Sequence, residues 1–268
     1  MHAGNIEILA YDDTPLGLLC LRRRELLGDP GTFVTEITLN HEFLMSSLNT
    51  ASELALATLA IEEQGKSAGD LGRSDSGKGA SSDSGSISGL RVLVGGLGLG
   101  YTAQAALASE RVARVDVIEL LPPVIEWLAE GLVPLSEELN REERLHIIEG
   151  DAYEHLLSPP LETYDVSPKD AGPYDVILID IDHSPDDRLE SLARASDRFY
   201  TEAGLEAVKR HLAPGGVLAV WSYEESSPFA EVMRNSFEVA RFEPVTFENL
   251  LIDQEQTDWV FLGRDANP

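Results

Sequence analysis

Cysteine, basic residues and long apolar runs are all scarce in this chain of 268 residues. Cys20 is the only cysteine, so neither an intramolecular disulfide nor a cysteine metal cluster can form, and no metal is expected. No apolar stretch approaches the roughly 18 residues that a membrane-spanning helix needs. The opening residues, MHAGNIEILAYDD, lack the basic end and apolar core of a signal peptide. These absences predict a cytoplasmic protein that does not engage a membrane.

Basic residues are outnumbered by acidic ones, 20 against 47, which gives a formal net charge of −27. Such a surface repels phosphate backbones, so DNA and RNA are not expected as partners. Two interpretations of the acidity stay open. One is a surface that attracts cations such as polyamines, and the other is the solvated surface of a protein from a salt-tolerant source.

Several motifs that mark common enzyme classes are also absent. The chain has no G-x-S-x-G elbow, no H-E-x-x-H helix and no Walker lysine loop. The sequence therefore gives no support to a hydrolase, a zinc protease or a nucleoside triphosphatase.

The first third of the chain divides into a small β unit with a linking helix, residues 1–63, and an insert, residues 64–89. Alternating apolar and polar residues in 5–40 predict two to four short antiparallel strands. The leucine-rich stretch 41–63 predicts a helix. Residues 64–89 are mostly Gly, Ser, Asp and Lys, and they predict a flexible insert because they bury too little apolar surface to offset their ordering entropy.

The remainder of the chain, residues 90–268, alternates between strand and helix patterns and is expected to form one domain. This alternation predicts an α/β, Rossmann-like fold with a seven-stranded sheet covered on both faces, whose last two strands pair antiparallel at an edge. The predicted strands are 91–95, 114–119, 144–149, 174–181, 216–222, 238–247 and 257–263. The predicted helices are 101–109, 122–130, 151–157, 201–211 and 227–236.

A glycine loop follows the first strand of this domain. It contains Gly95, Gly96, Gly98 and Gly100, and the next strand ends on Glu119. Bare backbone at such a loop can approach a nucleotide-like ligand, and an acid at the end of the second strand can accept both ribose hydroxyls. The spacing G-x-G-x-G differs from the G-x-G-x-x-G of dinucleotide enzymes. It resembles the loop of transferases that use S-adenosylmethionine (SAM). A nicotinamide or flavin site, or a tight turn without a ligand, remains an alternative.

Polar residues follow the other parallel strands, where ligands of such sheets bind. Asp151 is predicted to contact an adenine amino group, with the Ala152 N–H facing a ring nitrogen, although Asp151 could instead only cap the next helix. Asp180, Asp182 and His183 are predicted to hold an incoming amine or take its proton, the alternative being a solvated acidic loop. After the fifth strand, Trp221, Ser222 and Tyr223 could wall an acceptor pocket or close the sheet.

Taken together, these blocks resemble the polyamine aminopropyltransferases, the spermidine synthase family. The blocks VLVGGLGLG, VIELLPPVIEW, EGDAYEHL, YDVILIDIDHSP and FYTEAGLEAVKRHLAPGGVLAVW follow that family in order, and the resemblance covers most of the chain. It implies a donor that is SAM or decarboxylated SAM. It also implies that Glu119 holds the ribose, Asp151 the adenine, and Asp180 or Asp182 the reacting amine.

Three departures from that family bear on the acceptor. The family loop reads G-G-G-D-G-G, and its acid helps bind the donor's aminopropyl end, but Gly98 stands at the aligned position. Met45 and Ser47 stand where the family has a Tyr and a Glu that close over the polyamine. The loop after the fourth strand reads D-I-D-H-S-P in place of D-S-S-D-P. The scaffold resembles the family while the polyamine contacts differ.

The sequence therefore predicts a transferase that moves a group from an S-adenosyl sulfonium to a small amine or hydroxyl acceptor, with a polyamine among the candidates. Two alternatives are a SAM-dependent methyltransferase and a binding protein that kept the nucleoside pocket without catalysis. Relatives in the resembled family commonly dimerise, and the N-terminal strands offer edges for pairing, so a homodimer is a further expectation.

Overall fold

A computed structural model describes residues 6–26, 29–71, 89–160, 172–181, 193–249 and 254–266. Within these ranges, no helix is both long enough and apolar enough to cross a membrane.

The N-terminal unit is an antiparallel sheet of four strands in the order β1-β2-β3-β4. Its strands are β1 (Ile6–Thr14), β2 (Gly17–Glu25), β3 (Phe33–Leu39) and β4 (Glu42–Ser46). The first three lie in the stretch 5–40, for which short antiparallel strands were expected.

Strand β4 corrects the prediction of a helix over 41–63. Asn40 and His41 both have positive φ, 51° and 70°, and they form a two-residue turn that pairs Leu39 with Glu42. Two central residues with positive φ are typical of the turn that joins twisted antiparallel strands. The chain therefore returns along β3, and the linking helix α1 (Ala51–Leu71) begins ten residues later than expected.

Helix α1 also extends further than expected, into the stretch 64–89 that was predicted as a flexible insert. The Arg111 guanidinium donates hydrogen bonds to the Ile61 carbonyl oxygen at 2.8 Å and to the Gln64 side chain. These bonds hold the helix beyond residue 63. The rest of the predicted insert, residues 72–88, lies outside the described residues.

Replacing residues 72–88 with a short Gly-Ser linker should leave the melting temperature within a few degrees of the wild-type value, because changes in loop length alter closure entropy only slightly. A second variant that also replaces 64–71 should melt lower, since it removes the Gln64 contact with Arg111. Thermal unfolding of the two variants beside the wild type checks both expectations. A large loss in the first variant would show that residues 72–88 pack against the folded protein.

The second sheet has seven strands in the order β10-β11-β9-β8-β5-β6-β7. Strands β5 to β9 run parallel, and β10 and β11 run antiparallel at one edge, as predicted. Their bounds are β5 (Leu90–Gly95), β6 (Val112–Glu119), β7 (Leu145–Glu149), β8 (Tyr174–Ile179), β9 (Leu212–Ser222), β10 (Val239–Asn249) and β11 (Gln254–Arg264).

Seven further helices lie between these strands in the described ranges. They are α2 (Tyr101–Leu107), α3 (Pro122–Ala129), α4 (Ser136–Leu139), α5 (Ala152–Leu157), α6 (Ala193–Phe199), α7 (Glu202–Lys209) and α8 (Ser227–Ser236). The five predicted helices are present, while α4 and α6 were not predicted. Both are short, at four and seven residues.

Successive residues of the central strands face opposite sides of the sheet, and both sides are covered. Val92 and Val94 pack in one core with Leu56 and Ala60 of α1, whereas Leu93 packs in the core on the other face. This burial on both faces explains why β5 reads as a continuous apolar run.

Glu63 fixes α1 against the antiparallel edge of the sheet. Its side chain is buried and accepts hydrogen bonds from Arg241 at 2.7 Å and Arg264 at 2.8 Å, with Lys66 2.9 Å away. Burial alone would raise the pKa of Glu63, but the bonds from Arg264, Lys66 and Arg241 outweigh it and lower the pKa to about 2. The middle of α1 is thereby held against β10 and β11.

Candidate functional site

The glycine loop begins with a close backbone approach to strand β8. The Asp180 N–H donates to the Gly95 carbonyl oxygen at 2.9 Å. Gly96 has φ 94°, and a Cβ atom there would lie 2.2 Å from the Asp180 carbonyl oxygen. Glycine is therefore required at position 96 by the turn itself, as the tight-turn alternative proposes, whether or not a ligand binds.

Further along the loop, the side chain of Met45 packs against Gly98. Gly98 has φ 52°, and a Cβ atom there would lie 2.5 Å from the thioether of Met45. Gly100 forms the N-cap of α2. At Gly98 the loop thus contacts Met45 of the N-terminal sheet.

Glu119 lies at the end of β6 and is buried, with only 7% of its surface exposed. One carboxylate oxygen accepts from the Leu97 N–H and the other from the Leu121 N–H, both at 2.8 Å. Burial raises the pKa of Glu119, although bonds from neighbouring backbone N–H groups oppose this rise. A carboxylate offers about four acceptor sites, and the bonds from Leu97 and Leu121 use two of them.

Asp151 caps helix α5, so the capping interpretation is confirmed. Its Oδ1 accepts from the N–H groups of Tyr153 at 2.8 Å and Glu154 at 3.1 Å. These bonds use neither Oδ2 nor the N–H of Ala152. The predicted contact of Asp151 and Ala152 with an adenine is compatible with the cap and stays a prediction.

These residues surround a cavity of about 120 Å³, here called the Glu119 cavity. Apolar side chains from both sheets complete its wall, including Leu39, Met45, Ile118 and Leu121. Its polar lining is formed by Gly96, Gly98, Glu119, Asp151, Ala152 and Asp180. Of the predicted binding residues, Gly95 and Gly100 do not line it. Gly95 packs beneath it, where an added Cβ atom would lie 3.1 Å from the Cβ atom of Ala152.

Asp180 follows the last residue of β8 and is half-buried. The Thr102 hydroxyl at the start of α2 donates a hydrogen bond to its carboxylate. Burial raises the pKa of Asp180 to about 6, with the Thr102 bond opposing the rise and the charge of Asp258 adding to it. A carboxylate that titrates near neutral pH suits a group that exchanges protons during catalysis. Asp182 and His183 lie outside the described residues.

A second cavity, of about 450 Å³, lies on the other side of Asp180 and is here called the Asp258 cavity. It is enclosed by β4, the start of α1, the glycine loop and the ends of β9, β10 and β11. Trp221 and Tyr223 line it, which supports their predicted place in a pocket wall.

Among the described residues, no group of three or more His, Cys, Asp or Glu side chains is arranged to hold a metal ion.

Several residues of this cavity were not singled out from the sequence, namely Glu53, Tyr101, Phe247 and Asp258. Asp258 carried a signal, because it shares the alternating buried positions of β11 with Val260 and Leu262. An acid in a core-facing position of a strand is unusual unless it has a partner. Glu53 and Phe247 lie on elements that do not follow a parallel strand, namely α1 and the antiparallel strand β10.

The fold combines a small N-terminal sheet with a mostly parallel seven-stranded sheet that has a glycine loop after its first strand and an acid at the end of its second. This fold is similar to that of spermidine synthases of known structure. The crystal structure of spermidine synthase from Thermotoga maritima superposes with a TM-score of 0.64 at 13% identity, covering 97% of this chain and 74% of that one.

Two more comparisons agree with this fold. A probable spermidine synthase from Corynebacterium glutamicum superposes with a TM-score of 0.54 at 18% identity, over 95% of this chain and 79% of that one. In sequence, the chain is 33% identical over 132 residues to polyamine aminopropyltransferase 2 of Streptomyces coelicolor. That match covers 48% of this chain and 21% of the relative's length. No protein-family model matches the chain.

Proposed function

We propose that the protein transfers an aminopropyl group from decarboxylated SAM to a small amine. The observation that carries this proposal is the position of Asp180, which lines both the Glu119 cavity and the Asp258 cavity. A donor in the first and an acceptor in the second would meet at one carboxylate. The chain is similar in sequence to a polyamine aminopropyltransferase, which is consistent with this chemistry.

The Glu119 cavity suits the nucleoside of the donor. The remaining acceptor sites of Glu119 would take the two ribose hydroxyls, and its apolar wall would cover an adenine ring. Asp151 Oδ2 and the Ala152 N–H would match the amino group and a ring nitrogen of that adenine. A spermidine synthase with this fold has been crystallised with the transition-state analogue AdoDATO, so the fold accommodates an S-adenosyl group in that protein.

Transfer requires an unprotonated amine in line with the donor's carbon–sulfur bond. The amine nitrogen forms a bond to the methylene carbon, the carbon–sulfur bond breaks, and its electron pair returns to sulfur, leaving methylthioadenosine. The product of attack is a secondary ammonium, which loses one proton to become the neutral amine. Asp180 is placed to accept a proton either from the amine before attack or from this ammonium afterwards. Positioning supplies most of the rate, because a sulfonium is already a good leaving group.

Methyl transfer from SAM is the second candidate, and the contact between Gly98 and Met45 favours it. No carboxylate stands at position 98 to pair with the primary ammonium of decarboxylated SAM, and the Met45 thioether occupies the adjacent space. Without a carboxylate at position 98, the carboxylate of SAM would also meet no negative charge there that repels it. The two candidates thus differ in the donor rather than in the fold.

Calorimetry with three nucleosides separates these candidates. Decarboxylated SAM should bind more tightly than SAM, and methylthioadenosine should bind with comparable affinity to the donor because it fills the same nucleoside cavity. The preferred donor is then incubated with putrescine, spermidine, simple monoamines and hydroxyl compounds while methylthioadenosine and S-adenosylhomocysteine are quantified. Tighter binding of SAM, together with formation of S-adenosylhomocysteine, would show methyl transfer and contradict aminopropyl transfer. Tight donor binding without consumption of any acceptor would leave a nucleoside-binding protein.

A further inference from the structure

Thr102 is a buried threonine whose hydroxyl is bonded to Asp180 across the glycine loop. It is the second residue of α2, and only 2% of its surface is exposed. A threonine hydroxyl in a helix often bonds to the backbone of its own helix. Thr102 instead donates to Oδ2 of Asp180, which lies 78 positions later in the chain. The hydroxyl therefore links the start of α2 to the end of β8.

Asp180 is held by two hydrogen bonds, one at each end of the glycine loop. Its backbone N–H donates to the Gly95 carbonyl oxygen at 2.9 Å, and its side chain accepts from Thr102. Helix α2 is fixed to the same loop, because the Gln104 N–H donates to the Gly100 carbonyl oxygen at 2.9 Å. Among the described residues, no second side chain donates to the Asp180 carboxylate. The backbone bond and Thr102 together thus set the direction of this carboxylate.

The Thr102 bond uses one carboxylate oxygen of Asp180 and leaves the other to a substrate. Within the described part of the chain, Oδ1 has no hydrogen-bond partner, and Asp180 lines both the Glu119 cavity and the Asp258 cavity. A base that is oriented before its substrate arrives loses less conformational freedom on the way to the transition state. The bond is therefore suited to preparing Asp180 for proton transfer.

The surroundings of Asp180 otherwise disfavour its charged form. Burial raises the pKa of Asp180, the Thr102 bond lowers it and the charge of Asp258 raises it, with about 6 as the result. Asp258 accepts from the Ser52 hydroxyl at 2.5 Å and from the Trp221 indole N–H at 3.2 Å. The other titratable side chains on the two cavities are Glu53 of α1, Tyr101 of α2, Glu119 of β6, Asp151 before α5, Tyr153 of α5 and Tyr223 after β9. Since no lysine, arginine or histidine lines either cavity in the described ranges, Thr102 is the group that favours the carboxylate.

We propose that Thr102 is a positioning residue for the transfer reaction, which keeps the Asp180 carboxylate charged and oriented so that Oδ1 meets the reacting amine. This inference rests on the proposed function, in which Asp180 is the base. Thr102 lines neither cavity, so its effect on the reaction passes through Asp180.

The substitution T102V removes the hydroxyl and keeps the size of the side chain. Without this donor the carboxylate is harder to ionise. The inflection near pH 6 in the wild-type turnover should therefore move upward by about one pH unit, the scale of a hydrogen bond to a charged group. The turnover of T102V relative to the wild type should rise by about 5-fold between pH 6 and pH 9. This ratio cancels the ionisation of the amine substrate, which is the same for both proteins. T102S retains the hydroxyl and should restore the wild-type profile.

Two further variants separate positioning from packing. Thr38 is a buried threonine that lines neither cavity, so T38V is the matched control and should keep the wild-type pH profile. In the D180N background, T102V should change turnover by less than about 2-fold, because residues that act through one group are not additive. A wild-type pH profile in T102V, an equal shift in T102S, or a full further loss in T102V/D180N would overturn the positioning role while leaving transfer intact.

A direct titration of Asp180 distinguishes this inference from the proposed function. The Asp180 carboxyl carbon is followed by ¹³C NMR in protein labelled at aspartate, and D180N assigns its signal. The signal should titrate near pH 6 in the wild type and about one pH unit higher in T102V. That shift supports the action of Thr102 on Asp180 even if no acceptor is ever consumed, in which case transfer alone fails. Identical titrations in two folded proteins, as judged by circular dichroism, refute the inference.

Discussion

Asp180→Asn is expected to lower the turnover of the proposed transfer reaction by about 100-fold or more, the usual loss when a general base is removed. Binding of methylthioadenosine should change little, because the proposed nucleoside contacts lie at Glu119 and Asp151. The asparagine oxygen still accepts from Thr102, so the side chain keeps its place but can no longer take a proton. Steady-state turnover with the best acceptor, beside calorimetry with methylthioadenosine, measures both halves of this expectation.

The pH profile gives the same prediction a second readout. The pKa of Asp180 is raised to about 6, chiefly by burial, so the wild-type rate should fall as the pH drops through about 6. The variant should lack that inflection. Asp175→Asn is the control, since Asp175 lies on the same strand at its opposite end, where it accepts from the Arg91 N–H at 2.8 Å. Wild-type turnover and pH profile in Asp180→Asn would show that the reacting centre lies elsewhere.

Loss of activity in Asp180→Asn should not come from loss of folding. The pKa of Asp180 in the folded protein, about 6, lies above its ordinary value of 3.8, so the folded state binds the proton more tightly than the unfolded state. Stability from this group is therefore greatest at low pH and is lost as the pH rises through about 6. At neutral pH a neutral asparagine should stabilise the fold by about 1–2 kcal/mol. Chemical denaturation of the two proteins at pH 7 measures this difference.

The predicted roles of Asp182 and His183 stay predictions, since both lie outside the described residues. Asp182→Asn in the same assay tests whether it relays the proton from Asp180 to water. A loss comparable to that of Asp180→Asn is expected if the two acids act in sequence.

Glu119→Gln weakens the binding of methylthioadenosine by about 1.5–3 kcal/mol, the scale of hydrogen bonds to a charged group. This is roughly a 10- to 150-fold higher Kd. The glutamine has nearly the same shape, but it has one acceptor oxygen in place of two, so it cannot accept from Leu97, Leu121 and both ribose hydroxyls at once. Calorimetry with methylthioadenosine and with the preferred donor gives the change in Kd.

Glu149→Gln is the matched control for Glu119→Gln. Glu149 is the residue paired with Glu119 on the neighbouring strand β7, but it is exposed and does not line the Glu119 cavity. Its substitution should leave nucleoside affinity unchanged. Equal affinity in Glu119→Gln and the wild type, for both ligands, would remove Glu119 from the ribose site. A melting curve of Glu119→Gln separates loss of ligand contacts from disturbance of the glycine loop.

The sheet was predictable from sequence because its central strands, β5 and β8, are apolar on both faces and each is followed by polar or turn-forming residues. Strands β5 to β11 all fall within a few residues of the predicted ranges. The main error came where the local signals conflict. Residues 42–46 are rich in apolar side chains, and the leucines that follow suggest helical periodicity, yet the turn at Asn40 and His41 returns the chain into a hairpin. A turn without glycine gives a weak signal, because asparagine and histidine adopt positive φ only moderately often.

The candidate site was predictable where its residues lie at the carboxyl ends of parallel strands, because ligands of such sheets bind there. Glu119, Asp151 and Asp180 were found because each follows a parallel strand, and the structure places all three around one cavity. Asp258 and Met45 escaped that rule. One lies within an antiparallel strand and the other on the N-terminal sheet, so only the tertiary arrangement brings them beside Asp180. Sequence spacing carries no information about such contacts.

The chain order of the two cavities has a consequence for folding. The described residues that line the Glu119 cavity precede residue 182, whereas the Asp258 cavity needs Phe247 and Asp258 from the last hairpin. The bond between Ser52 and Asp258 spans 206 residues. Contacts between residues so far apart in sequence form slowly, because the entropy of closing the loop is lost before the contact is gained. The Asp258 cavity is therefore expected to form later in folding than the contacts within the glycine loop.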